Sequence, residues 1–226
     1  MNFALLDLLS KGGWIMYIIL GCSIASLSLI INKARQLLSR DIRESNFIDL
    51  AVSALHRDGP KAALAVLESS SHPVARVMET TIDLSERQAL PMQDIECEIA
   101  RQGSIELRKL DKGLRGLCGL AQIAPLLGLL GTVLGMITAF ITIQDAGSSI
   151  NPALLAGGIW TALLTTAFGL MVAVPTMGAY YYFEGLVDEV ASQMRDGTEQ
   201  ILLYFKKDSR RLDAFSEGTN WRVHAN

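Results

Sequence analysis

The chain has 226 residues, half of them hydrophobic, with 20 basic and 23 acidic side chains and a formal net charge of −3 at pH 7. That charge is divided among separate segments and marks no nucleic-acid partner. Cys22, Cys97 and Cys118 show neither CxxC nor metal-ligand spacing, and no nucleophile–base pair occurs; we expect no catalytic residue, no metal, no cofactor and no enzyme activity.

In chain order, residues 1–11 place Phe3, Leu5, Leu6, Leu8 and Leu9 in an amphipathic segment suited to a membrane surface. Residues 12–32 (GGWIMYIILGCSIASLSLIIN) are uncharged, long enough for a first span, and lack a basic n-region or cleavage site, which predicts an uncleaved anchor. Its helix is expected to run past Lys33 toward His56. Asp58-Gly59-Pro60 breaks it, Pro60 opens a short helix, the stretch Ser70-Ser71-His72-Pro73 breaks again, and Pro91 opens a further helix at its first turn. From there Ile99, Gly103, Leu107, Leu110, Leu114, Leu117 and Ala121 recur at steps of three and four. With no turn signal seen, this predicts one helix over residues 91–143, roughly 80 Å long.

Residues 116–144 and 146–183 hold no charged side chain and predict the second and third spans, the latter capped by Asn151 with Pro152 in its first turn. The third span continues through Leu186, Val190, Met194, Ile201 and Tyr204, mildly weakened at Gly197, while residues 215–226 show no periodicity and are expected to be loose. The fold class is therefore an all-α membrane protein with three transmembrane helices, two of them very long and extending into a helical cytoplasmic domain. The expected division is 1–11 outer segment, 12–32 first span, 33–115 cytoplasmic helical domain, 116–144 second span, 145–152 outer hairpin, 153–183 third span, and 184–226 cytoplasmic helix and tail.

Lys33, Arg35, Arg40 and Arg43 begin a basic run of segments, and the tail carries Arg195, Lys206, Lys207, Arg210 and Arg211, whereas residues 145–152 hold no basic residue. The positive-inside rule then puts the N-terminus outside and the long loop and C-terminus in the cytoplasm. Trp14, Tyr17, Trp160 and Tyr180 to Tyr182 stand at span ends, as interfacial aromatics do. His56, His72 and His224 all lie outside the spans, which excludes an intramembrane histidine relay.

Both long spans carry ladders of small residues. Ala121, Ala124, Gly128, Gly131, Thr132, Gly135, Ala139 and Thr142 share one face of the second; Gly158, Ala162, Thr165, Thr166, Gly169, Ala173 and Thr176 share one face of the third. Such ladders let helix backbones approach closely, with threonine hydroxyls satisfied four residues back. Alternatively, Thr132, Thr161, Thr165 and Thr166 line an interior path on which hydroxyls pass a proton or solvate a carboxylate supplied by a partner. Pro125 and Pro175 loosen the two spans locally, either as simple packing bends or as hinges.

The stretches IAPLLGLLGTVLGMITAF (residues 123–140) and GIWTALLTTAFGLMVAVPT (158–176) resemble the second and third spans of the ExbB/TolQ/MotA proton-channel family, closest to ExbB and then TolQ. The resemblance implies a stator subunit of the bacterial inner membrane. Five copies would surround an ExbD- or TolR-like single-span partner whose Asp carries the ion, and a TonB-like protein would be driven. It implies that Thr132 and Thr166 face the pore and that Pro125 and Pro175 are its span prolines. Many ExbB and TolQ proteins follow a pattern like GIxEALxTTA, but this chain has Thr161 at the Glu, so no intramembrane Glu serves its proton path. The leading expectation is energisation of TonB-dependent transport across the outer membrane. The alternatives are a TolQ-like role in envelope integrity and a passive channel or scaffold.

Overall fold

The computed structural model describes residues 13–38, 46–87, 91–145 and 152–223, with side chains through Lys207 except Pro152 and Leu154. Among these residues there are seven helices and no strand: α1 (Gly13–Leu37), α2 (Asn46–Asp58), α3 (Pro60–Glu68), α4 (Pro73–Arg87), α5 (Met92–Asp111), α6 (Leu114–Asp145) and α7 (Pro152–Val223). Three stretches are long and apolar enough to span a bilayer: Gly13–Leu37, Leu114–Asp145 and Leu155–Lys207. The chain is an all-α membrane protein. The expected amphipathic segment 1–11, the turn residues 146–150 and the Asn151 cap lie outside the described residues.

The helix starts follow local chemistry. Gly59 adopts φ +89°, which a residue with a Cβ rarely does, and Pro60 follows as the first residue of α3. Pro73 opens α4, and the carbonyl of Pro91 accepts the amides of Asp94 and Ile95 at the head of α5.

Three expectations are corrected. α1 ends at Leu37 instead of running toward His56; the sequence from Ser39 to Ser45 offers only Ile42 as an apolar residue, so no stripe continues to be buried. The single helix over 91–143 is broken between Asp111 and Leu114, where Gly113 takes φ +95°. A glycine just past a helix end, in a left-handed conformation, is a C-terminal stop; the surrounding apolar stripe conceals it. Third, residues 215–223, expected to be loose, continue α7, since the sequence has no proline after Pro175 to end it.

The chain forms two compact units. The first comprises residues 1–36 and 112–184, and so holds α1, α6 and the first part of α7. Its outer surface is strongly apolar: Trp14, Leu126, Phe140, Leu163, Met171 and Val174 are all exposed, as lipid-facing side chains must be. Small residues fill the interior instead, including Ala121, Ala124, Ala139, Ala162 and Ala173.

The second unit comprises residues 37–111 and 185–226. It has a conventional water-soluble core: Leu55, Leu67, Val74, Val77, Met78, Ile82 and Ile201 are almost wholly buried. Gly197, expected only to weaken α7, has a packing purpose. A Cβ there would lie 2.9 Å from Sδ of Met78, so the flexible Met78 side chain of α4 would have to shift to admit a larger residue. Buried Glu106 is held by Lys109 at 2.6 Å and Arg76 at 3.7 Å, which satisfies a charge that could not be buried alone.

Candidate functional site

The small-residue ladders of α6 and α7 face each other and mesh in antiparallel order. A Cβ on Gly158 would stand 2.5 Å from Cβ of Ala139. On Gly135 it would stand 3.0 Å from Cβ of Ala162, and on Gly131 2.6 Å from Cβ of Thr165. A Cβ on Gly128 would stand 3.0 Å from the backbone of Thr165 and Thr166, and one on Gly169 2.7 Å from the carbonyl of Ala124. Each glycine is thus a socket for the opposing helix, and helix axes approach as only Cβ-free positions permit.

The structure separates the four threonines singled out from sequence. Thr165 is buried, and its hydroxyl donates to the carbonyl of Ala162 at 2.7 Å and lies 3.3 Å from that of Gly128. Thr166 is half-buried and donates across to the same Gly128 carbonyl at 3.1 Å. Thr132 stands one turn beyond Gly128 and donates to Leu129 at 2.7 Å; Thr161 donates to Gly157 at 3.0 Å. Thr165 and Thr166 are therefore brought together on one acceptor, while Thr132 and Thr161 bond within their own helices. Every one of these hydroxyl protons is directed at a backbone carbonyl, which leaves hydroxyl oxygens as acceptors for anything else that approaches.

Thr161 and Thr165 line a cavity of about 430 Å³ together with Thr138, Thr142, Gly131 and Gly135. Trp14, Ile15, Leu134 and Ala139 complete much of the wall. Pro175 borders a second cavity, about 330 Å³, between α1 and α7, beside Thr176, whose hydroxyl donates to Val172 at 2.6 Å. Pro125 is half-buried inside α6. In the described residues no group of His, Cys, Asp or Glu could hold a metal.

Sequence reading missed a polar cluster at the other end of this helix pair. The Tyr180 hydroxyl donates to the carboxylate of Glu184 one turn along α7, and Cys118 of α6 faces Tyr180. Gln122 in turn donates to Sγ of Cys118 at 3.3 Å. The i,i+4 spacing of Tyr180 with Glu184, and of Cys118 with Gln122, was the available signal.

Known proteins agree with this architecture. Residues 69–196 match the model of the MotA/TolQ/ExbB proton channel family. A Synechocystis relative named as the biopolymer transport protein ExbB-like 1 is 32% identical over 88% of this chain and 79% of its own length. The biopolymer transport protein ExbB of Neisseria meningitidis is 31% identical over 74% of this chain and 77% of its own. An ExbB homologue from Methanothermobacter thermautotrophicus is 28% identical over 81% of this chain, a match that spans only 64% of the relative. A family model covering more than half of the residues, together with relatives more than 30% identical over most of the chain, leads to one assignment: this chain belongs to the MotA/TolQ/ExbB proton channel family.

Proposed function

We propose that the protein is an ExbB-like stator subunit of the bacterial inner membrane. In this reading several copies, five by the family pattern, surround a single-span ExbD-like partner, and the complex uses proton-motive force to energise TonB-dependent transport at the outer membrane. The observation that carries it is the pairing of two charge-free spans with hydroxyl oxygens on their flank. Residues 116–144 and 146–183 contain no Asp, Glu, His, Lys or Arg, so in this reading the proton crosses on a carboxylate brought by the partner. Moving one charge through 100 mV involves about 2.3 kcal/mol, and one or two hydroxyl contacts of about 1 kcal/mol each are significant on that scale.

The test is Thr132→Val and Thr166→Val, which keep shape and remove the hydroxyl, in the full chain co-expressed with its single-span partner. Proton uptake into proteoliposomes should fall by most of its value in each variant and nearly vanish in the double variant, with Thr161→Val milder. Because Thr166 also bonds Gly128 across the helix pair, Thr166→Ser serves as control and should retain uptake. One observation favours a second reading, a scaffold without energy coupling: all four hydroxyls are already satisfied by carbonyls. Normal uptake by the double variant would remove the pore assignment of these threonines, and a complex that takes up no protons before any substitution would establish the scaffold reading.

A further inference from the structure

We propose that His72 is a pH-sensitive cap on α4, so that the second unit loosens as the compartment around it acidifies. His72 occupies the position immediately before Pro73, the first residue of α4, and its carbonyl accepts the first intrahelical bond, from the amide of Arg76 at 3.4 Å. That is the N-cap position, normally held by Ser, Thr, Asp or Asn, whose side-chain oxygen accepts an amide two or three residues on. Here Nδ1 of the imidazole does that work: the amide of Val74 donates to it at 3.1 Å. The amide of His72 itself bonds Oγ of Ser70 at 3.2 Å, and its ring lies 5.1 Å from that of Phe47 on α2. The residue is completely buried.

An acceptor at Nδ1 must be unprotonated. Protonation there replaces the lone pair with a second donor aimed at the Val74 amide, and it places a buried positive charge at the positive end of a helix dipole. The charged groups of α2 to α5 include Asp49 on α2, Glu68 on α3, Arg76 and Glu79 on α4, and Glu106 on α5, with Arg76 engaged by Glu106 at 3.7 Å. Arg40, Asp41, Arg43 and Glu44 precede α2, outside the described residues. Protonation at Nδ1 therefore removes the acceptor on which the cap depends. The inference stands on the second unit alone and is independent of the motor reading.

The experiment is hydrogen exchange by mass spectrometry on the full chain in detergent, following the peptide at the start of α4, with rates corrected for intrinsic pH dependence. Between about pH 7.5 and about pH 5.5, protection there should fall about fivefold in the wild type, the factor a lost cap is worth. His72→Asn keeps a capping acceptor that does not titrate and should abolish the change, with His72→Ser as the alternative should Asn fail to fold. His72→Ala should be unprotected at both pH values. An undiminished pH response in His72→Asn or His72→Ser, or none in the wild type, would overturn the proposal.

Discussion

Gly131 and Thr165 form the tightest mesh between α6 and α7. The hydroxyl, Cβ and Cγ2 of Thr165 all lie within the space that a Cβ on Gly131 would need, Cβ itself at 2.6 Å. Since the obstacle begins at Cβ, trimming Thr165 to Ala cannot relieve it. Gly131→Ala should therefore destabilise the chain in detergent by about 1–3 kcal/mol, the usual cost of overpacking. Adding Thr165→Gly should recover most of that loss by moving the socket to the other helix. Gly157→Ala, where nothing stands within 4 Å, should be neutral. Thermal unfolding of the four proteins decides it, and a harmless Gly131→Ala would mean that the helices are not this close. Sequence spacing identified which residues face the partner helix but not where each hydroxyl goes. Thr166 reaches the carbonyl of Gly128 only because the antiparallel register brings those two turns level, and register is a property of the pair.

Among the elements of the second unit, α4 carries a carboxyl that resists ionising. Partial burial, followed by the nearby Glu68 carboxylate, raises the pKa of Glu79, with Arg76 acting in the opposite direction. The folded chain then holds the proton more tightly than the unfolded one. Its contribution to stability is greatest below the ordinary carboxylate range and is lost as the pH rises through the raised value. Glu79→Gln should remove that loss: at neutral pH its unfolding temperature should exceed the wild type's, and the two should converge on acidification. Equal curves at all pH values would show that the carboxyl costs nothing. The starts of α3, α4 and α5 were legible in the sequence because Gly59, Pro60, Pro73 and Pro91 act on the backbone locally. The stop at Gly113 was not, because the glycine fits an apolar stripe as a small residue and its positive φ becomes visible only in the folded chain.

For the whole molecule, basic residues dictate a disposition across the bilayer that can be checked directly. Cys97 is exposed on α5, in a segment rich in Lys and Arg, while residues 145–152 hold none. A membrane-impermeant thiol reagent applied to intact cells should leave Cys97 unmodified and should label Ser148→Cys; in inverted vesicles Cys97 should react. Labelling of Cys97 from outside would reverse the topology. Three-span architecture was readable from charge-free stretches alone. Charge returns to the sequence at Glu184, next to the residue at which one unit gives way to the other, although α7 continues there without a break.

The meshing of glycine sockets along α6 and α7 also governs what insertions and deletions the gene can tolerate. One residue added within either span turns everything beyond it by about 100° and carries every later socket off its opposing backbone at once. No single compensating substitution restores five such contacts, as a lengthened loop could be accommodated by slack. Relatives should therefore align without gaps through residues 121–144 and 153–176, and length differences should collect in the turn between them and beyond Glu184.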